Sequence, residues 1–168
     1  MKKILLLLGL LVLIAGCATP YQAPLGDGGV YTSGDFGFSI EYPDGWIVAE
    51  APGTGVSFLG NYDYLANIVV SVEEYDGTLQ EAWEEQIEDL ERSNILIGTQ
   101  TYSDVLTTVN GYTAVEIDYS YTMGEEVMVK EYLFVENGYV YGVFYQTYTD
   151  YFNDHMTDFE ESLASFSF

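Results

Sequence analysis

Only four basic residues stand in this chain of 168, against 27 acids, for a net charge of −23. Contact with phosphates needs clustered Lys and Arg, so nucleic-acid binding is excluded, and electrostatic docking on anionic lipid falls with it. A single cysteine, Cys17, leaves no internal disulfide, and with a single histidine, His155, it supplies no Cys/His cluster for zinc, haem or an iron–sulfur centre. No Asp-x-Asp-x-Asp-Gly loop is present, so there is no EF-hand. No glycine-rich segment opens a helix, and Gly55-Val56-Ser57-Phe58-Leu59 is not a nucleophile elbow. The longest apolar run, residues 4–15, is too short for the roughly 20 residues of a spanning helix.

What is present is apolar enough to fold. At 48% hydrophobic and 16% aromatic, the chain is no disordered acidic tail. Lys2 and Lys3, then Ile4 to Ala15, make the charged and apolar regions of a signal peptide spanning 1–16. It ends in Leu13-Ile14-Ala15-Gly16-Cys17, which resembles a lipobox. The resemblance implies lipid on the sulfur of Cys17 and cleavage before it. Cleavage there removes two bases and no acid, leaving two bases against 27 acids and a charge of −25. Two acyl chains, at about 0.8 kcal/mol per buried CH₂, anchor durably. Residues 17–30 then form the lipidated end and a Pro/Gly linker. Its flexible part reaches about 20 Å, beyond the Debye length of about 8 Å, so the acidic body stands clear of the membrane. Residues 31–168 form one domain.

Within that domain Phe36, Phe38, Ile40 and Tyr42 alternate with polar or small residues as a strand, and Pro43-Asp44-Gly45 turns the chain into Trp46. Trp46 reads as a core plug. Val56–Leu59 and Ala66–Val72 are further strands, the second covered on both faces. Thr78 and Glu81 make a capping box for a helix to about Arg92, with Leu79, Trp83, Ile87 (or Gln86) and Leu90 inward. Arg92 is expected in the last turn. Asn110-Gly111 and Asn137-Gly138 are hairpin turns, and Met123-Gly124-Glu125-Glu126 is a looser one. Val127–Val135 and Tyr139–Tyr148 are strands, the latter apolar on both faces. A last helix is expected over about 150–164, with Phe152, Met156, Phe159, Leu163 and Phe166 as one stripe, before a short extended end.

GFSIEYPDGW at 37–46, VSFLG at 56–60, NIVVSVEE at 67–74, the helix of 78–92, VNGYTAVEIDY at 109–119 and a final helix ending in SF occur in that order. Over about 36–168 this order resembles the PsbP/Mog1-like domain. The resemblance implies an α+β fold, an antiparallel β-sheet flanked by helices. Members of that family are mostly non-catalytic: extrinsic photosystem II subunits, a partner of the Ran GTPase, and exported lipoproteins. The lipobox points to the lipoproteins. No functional residue is carried over.

Candidate chemistry is therefore read from the residues. Asp150, Asp154 and Asp158 fall on one face of the expected last helix, a candidate weak Ca²⁺ site; Glu73, Glu74 and Asp76, and Glu125 with Glu126, are lesser groups. Solvated faces explain most such clusters in so acidic a chain. His155 reads as a partly exposed helix residue. The tyrosines of the hairpins, Tyr119, Tyr121, Tyr139, Tyr141 and Tyr145, read as core. The acidic helix face around Glu84, Glu85 and Glu88 is the candidate partner surface. The expected function is a lipid-anchored, extracytoplasmic, non-enzymatic binding or scaffold module for an envelope protein. The alternatives are a carboxylate-based hydrolase and a divalent-cation-binding surface protein.

Overall fold

Period-two alternation builds most of the molecule from strands. The computed structural model describes residues 28–51, 53–61 and 65–168. The signal peptide, Cys17 and the linker as far as residue 27 lie outside the described residues. In chain order the elements are β1 (Gly29–Ser33), β2 (Phe38–Tyr42), β3 (Ile47–Ala51), β4 (Gly55–Asn61), β5 (Ala66–Glu74), α1 (Leu79–Ile97), β6 (Gln100–Val109), β7 (Tyr112–Met123), β8 (Glu125–Glu136), β9 (Tyr139–Tyr148) and α2 (Met156–Ser165). Seven strands form one antiparallel sheet in the order β3-β4-β5-β9-β8-β7-β6, and β1 pairs with β2 apart from it. This is the expected α+β architecture.

Two hairpins follow directly from their turns. Asn110 and Gly111 have φ of 52° and 88°, and Asn137 and Gly138 have 51° and 83°. Consecutive positive φ is what a tight hairpin with right-handed twist requires. These turns set Val109 opposite Tyr112 and Glu136 opposite Tyr139, so each later pair follows by counting. β5 and β9 lie at the centre, buried along nearly their whole length. Neither strand has a polar face to give to water, so the sheet needs cover on both sides.

α1 covers one side. Ala82 and Leu90 pack with Val115, Ile117, Tyr119, Tyr121, Val129, Leu133 and Phe144. The β1–β2 hairpin and α2 cover the other, around Phe38, Ile40, Phe58, Tyr141, Tyr145, Phe159 and Phe166. The extended end joins them: the Ser39 amide donates to the Ser167 carbonyl at 2.9 Å and the Ser167 amide to the Ser39 carbonyl at 3.0 Å. Trp46 is buried in this second core, as expected. Its indole lies so close to Gly60 that a Cβ there would sit 2.6 Å from the ring.

Three sequence expectations need correction, and one left open between two residues is decided. β1 starts at Gly29, inside the expected linker. α1 continues to Ile97, so Arg92 is not in the last turn; Gly98, at φ 71°, is the first residue suited to end the helix. Gln86, not Ile87, is the fully buried member of its turn. The last helix starts at Met156, and Thr149–Tyr151 form a separate 3₁₀ turn before it.

One side chain locks the β6–β7 hairpin onto α2. Asn110 Nδ2 donates to the carbonyls of Leu163 (3.1 Å) and Phe166 (2.8 Å) at the helix end, where the Leu163 carbonyl also accepts the Phe166 amide at 3.1 Å. Asn110→Gly keeps the turn but loses both bonds and should cost about 1–2 kcal/mol. Asn110→Ala adds left-handed strain and should cost about 1 kcal/mol more. Denaturant unfolding of both variants checks the order; a neutral Asn110→Gly would contradict it.

Candidate functional site

The side of α1 that faces β6 opens a groove of about 570 Å³, lined by Trp83, Glu84, Ile87, Glu88, Thr101, Ser103 and Asp104. The lining follows from helix geometry. Positions 83 and 87 form one stripe at i, i+4, and 84 and 88 the next stripe over. The first stripe is half-buried against the sheet and supplies an apolar floor, and the second stays exposed as a carboxylate rim. Asp104, opposite Ile117 on the α1 face of the sheet, brings a third carboxylate from β6. The Trp83 indole Nε1 is buried and has no hydrogen-bond partner among the described residues. Of the three helix acids expected to meet a partner, the groove takes in Glu84 and Glu88. Glu85 does not line it; after burial, the larger cause, its charge and those of Glu81 and Glu84 raise the Tyr75 hydroxyl.

The helix end of the groove's acids is built by the expected capping box. The Thr78 amide donates to Glu81 Oε2 at 2.8 Å, and the Glu81 amide donates to Thr78 Oγ1 at 3.2 Å. Hydrogen bonds from the Thr78 backbone and side chain hold the Glu81 carboxyl below its usual range. The next turn adds Gln80 Nε2 donating to Glu84 Oε1 at 2.9 Å.

Beneath α1 the sheet carries a carboxyl that the sequence reading passed over. Glu131 of β8 is 2% exposed. Gln86 Nε2 donates to its Oε2 at 3.2 Å, and Tyr119 also hydrogen-bonds it. Gly142 of β9 makes room: a Cβ there would meet Glu131 Oε1 at 2.7 Å and Ser71 Oγ at 2.8 Å. Burial pushes the Glu131 carboxyl up to about 7, against the opposing pull of Tyr119 and Gln86. Its place among Val127, Val129, Leu133 and Val135 on the inward face of β8 is the signal in the sequence, a lone acid in an apolar alternation.

A second polar group occupies the opposite sheet face, beside α2. Lys130 Nζ donates to Glu116 Oε1 and lies 3.1 Å from Asp118 Oδ1. The Tyr132 hydroxyl donates to Glu116 Oε2 at 2.7 Å, and Ser103 Oγ to Asp118 Oδ2 at 3.0 Å. Burial works against charge on Glu116, but Lys130 and Tyr132 outweigh it and hold the carboxyl below its ordinary value. The turn at Gly124 predicts this set by counting, since it places Lys130 opposite Asp118 and Tyr132 opposite Glu116.

The other sequence candidates disperse. Asp150 sits in the 3₁₀ turn and Asp154 in the turn after it, so neither shares a helix face with Asp158. Asp158 Oδ2 instead lies 2.8 Å from His155 Nδ1, and the imidazole packs edge-on to Trp46 with centroids 5.5 Å apart. Among the described residues no group of three His, Cys, Asp or Glu is placed to hold a metal ion. Ser57 pairs with Val69 and faces α1, while His155 packs on the opposite side of the sheet. Glu126 accepts from Ser120 Oγ at 3.0 Å and Thr149 Oγ1 at 3.3 Å, and Glu73 lies opposite Val140. Tyr119, Tyr121, Tyr141 and Tyr145 are buried in the two cores and Tyr139 is half-buried against the second, as expected.

No family model and no curated protein sequence matches the chain. Solved structures match by fold. The solution structure of cyanobacterial PsbP from Synechocystis sp. PCC 6803 superposes at a TM-score of 0.63 with 15% identity, over 89% of this chain and 96% of that one. LpqN, described as involved in cell envelope biogenesis of Mycobacterium tuberculosis, gives 0.59 and 16%, over 88% and 86%. The Saccharomyces cerevisiae Ran-binding protein Mog1p gives 0.55 and 15%, over 83% and 94%. The chain thus has the PsbP/Mog1-like fold, an antiparallel sheet with a helix on each face.

Glu131 generates a pH prediction. Its folded value of about 7 lies above the ordinary 4.5, so the folded state holds this proton more tightly than the unfolded chain. Stability from this group is full below about pH 4.5 and falls as pH rises through about 7, by about 3 kcal/mol in all. Glu131→Gln should remove that slope. Unfolding free energies of both proteins from pH 5 to 8 should diverge, with the variant relatively stronger at pH 8. Parallel curves would contradict the buried, proton-holding carboxyl.

Proposed function

We propose that this protein is a lipid-anchored, extracytoplasmic module that binds an envelope protein and does so without catalysis. The observation that carries the reading is the groove between α1 and β6. It gathers two of the expected partner-surface acids over an apolar floor at an open sheet edge. Apolar centres with polar rims are how protein interfaces are built. The lipobox supports membrane attachment at Cys17, and the signal peptide 1–16 and the linker before β1 would supply export and reach. The fold agrees with a binding role: one fold neighbour is described as Ran-binding and another as involved in cell envelope biogenesis.

Membrane fractionation with mass spectrometry tests the anchor. The wild type should be membrane-bound with an acylated Cys17 at its N-terminus, and Cys17→Ser should be released. A soluble, unmodified wild type, or a membrane-bound Cys17→Ser, would sink the anchoring claim. Crosslinking in native membranes should give a discrete complex with an envelope protein. Its complete absence would sink the binding role.

A further inference from the structure

The outer edge of β6 and the acidic groove beside it form one continuous surface. β6 ends the sheet, and among the described residues no strand pairs with its outer side. Edge strands are normally guarded by charged side chains, above all Lys, by Pro, by short length or by bulges, and Asp104 is the one such charge on β6. β6 runs ten residues without Lys or Pro. Its single irregularity lies between Thr101 and Ser103, and the pairing with β7 is regular from Ser103 to Val109. Beyond the groove it exposes two neighbouring apolar side chains, Val105 at 56% and Leu106 at 70%. They point to opposite faces of the strand, and Leu106 shares its face with Asp104.

Charge decides among occupants. Glu84, Glu88 and Asp104 ring the groove. The two cations of the mature domain are committed elsewhere, Arg92 to Asp89 and Lys130 to Glu116 and Asp118. A second copy of the chain would bring the same carboxylates to the same edge. The chain's own linker, ATPYQAPLGD at 18–27, carries no base. We propose that β6 takes up an extended basic segment of a partner protein as an added strand, with its Lys or Arg residues on the α1 face, on Glu84, Glu88 and Asp104, and its alternate apolar residues on the other face, beside Val105. Main-chain pairing gives the affinity of such an addition, and alternate side chains give its selectivity. The inference rests on the binding role and names the partner's chemistry.

A capped ten-residue peptide alternating Lys and Val is the probe, titrated into the acylated protein in detergent micelles or into its soluble Cys17→Ser form. On binding, alternate amides of β6, those not bonded to β7, should gain hydrogen-exchange protection. Glu84→Gln/Glu88→Gln should weaken binding by on the order of tenfold. Glu85→Gln/Glu91→Gln removes the same charge from the same helix outside the groove and should change it less than about twofold. Equal weakening by the two double variants would reduce the effect to bulk attraction and overturn the proposal. So would unchanged β6 protection, or self-association through β6 in place of peptide capture. If peptide binding fails while the membrane complex persists, the groove is wrong and the binding role stands. If the membrane complex is also missing, the role itself is wrong.

Discussion

Everything in this fold follows from a central pair of strands with no exposed face. β5 and β9 are buried on both sides along nearly their whole length, and Tyr141 and Tyr145 of β9 are completely buried. A sheet of that kind must be covered twice. α1, at 19 residues, spans about 28 Å and covers one face. α2 has ten residues, about 15 Å, and cannot cover the other face by itself. The β1–β2 hairpin supplies the rest. The Tyr141 hydroxyl donates to the Phe36 carbonyl at 2.8 Å, tying that hairpin to the central strand. Cover ends where the alternation turns polar, at Glu116, Asp118 and Lys130 on one face and at β6 on the edge. The uncovered margin is where the proposed partner would have access.

Short-range chemistry was the legible part of the sequence. The capping box of Thr78 and Glu81, the two Asn-Gly hairpins, the Pro43–Gly45 turn and the doubly covered strands are all as the residues imply. Each depends on neighbours in the chain, and so does the order of elements that resembles the PsbP/Mog1-like domain. The errors have the same physical origin. Arg92 reads as the last turn of α1, but the helix runs on to Ile97 and ends before Gly98 at φ 71°. Phe152, Met156, Phe159 and Leu163 keep helical spacing although the segment before Met156 is not continuous helix. The turns at Tyr151–His155 still aim Phe152 at Tyr145. That false continuity is what aligned Asp150, Asp154 and Asp158.

The site was half legible. Glu84 and Glu88 were visible as an acidic stripe, but Asp104 and the groove floor depend on where β6 lies against α1, which no local pattern encodes. Glu131 was legible as a lone acid in the apolar alternation of β8. What satisfies it there, Gln86, Tyr119 and the missing side chain at Gly142, comes from three other elements and is seen only in the fold. The Lys130 group was available by counting back from Gly124. It commits one of the domain's two cations to the far face and leaves the carboxylates around the groove unneutralised. The acidity therefore has two parts, a solvated excess over the whole surface and a local, unpaired set beside an open edge. Lipid attachment at Cys17 would bring that edge to the membrane surface without any help from charge.

The most direct measurement is site-specific photo-crosslinking in native membranes. A photoreactive residue at Leu106, on the open edge, is compared with one at Val30, which is 64% exposed in the β1–β2 hairpin on the sheet face away from α1. The account predicts one discrete adduct from position 106, its crosslinked peptide rich in Lys or Arg, and none from position 30. The same adduct from both positions, or an adduct from position 30 alone, would contradict it.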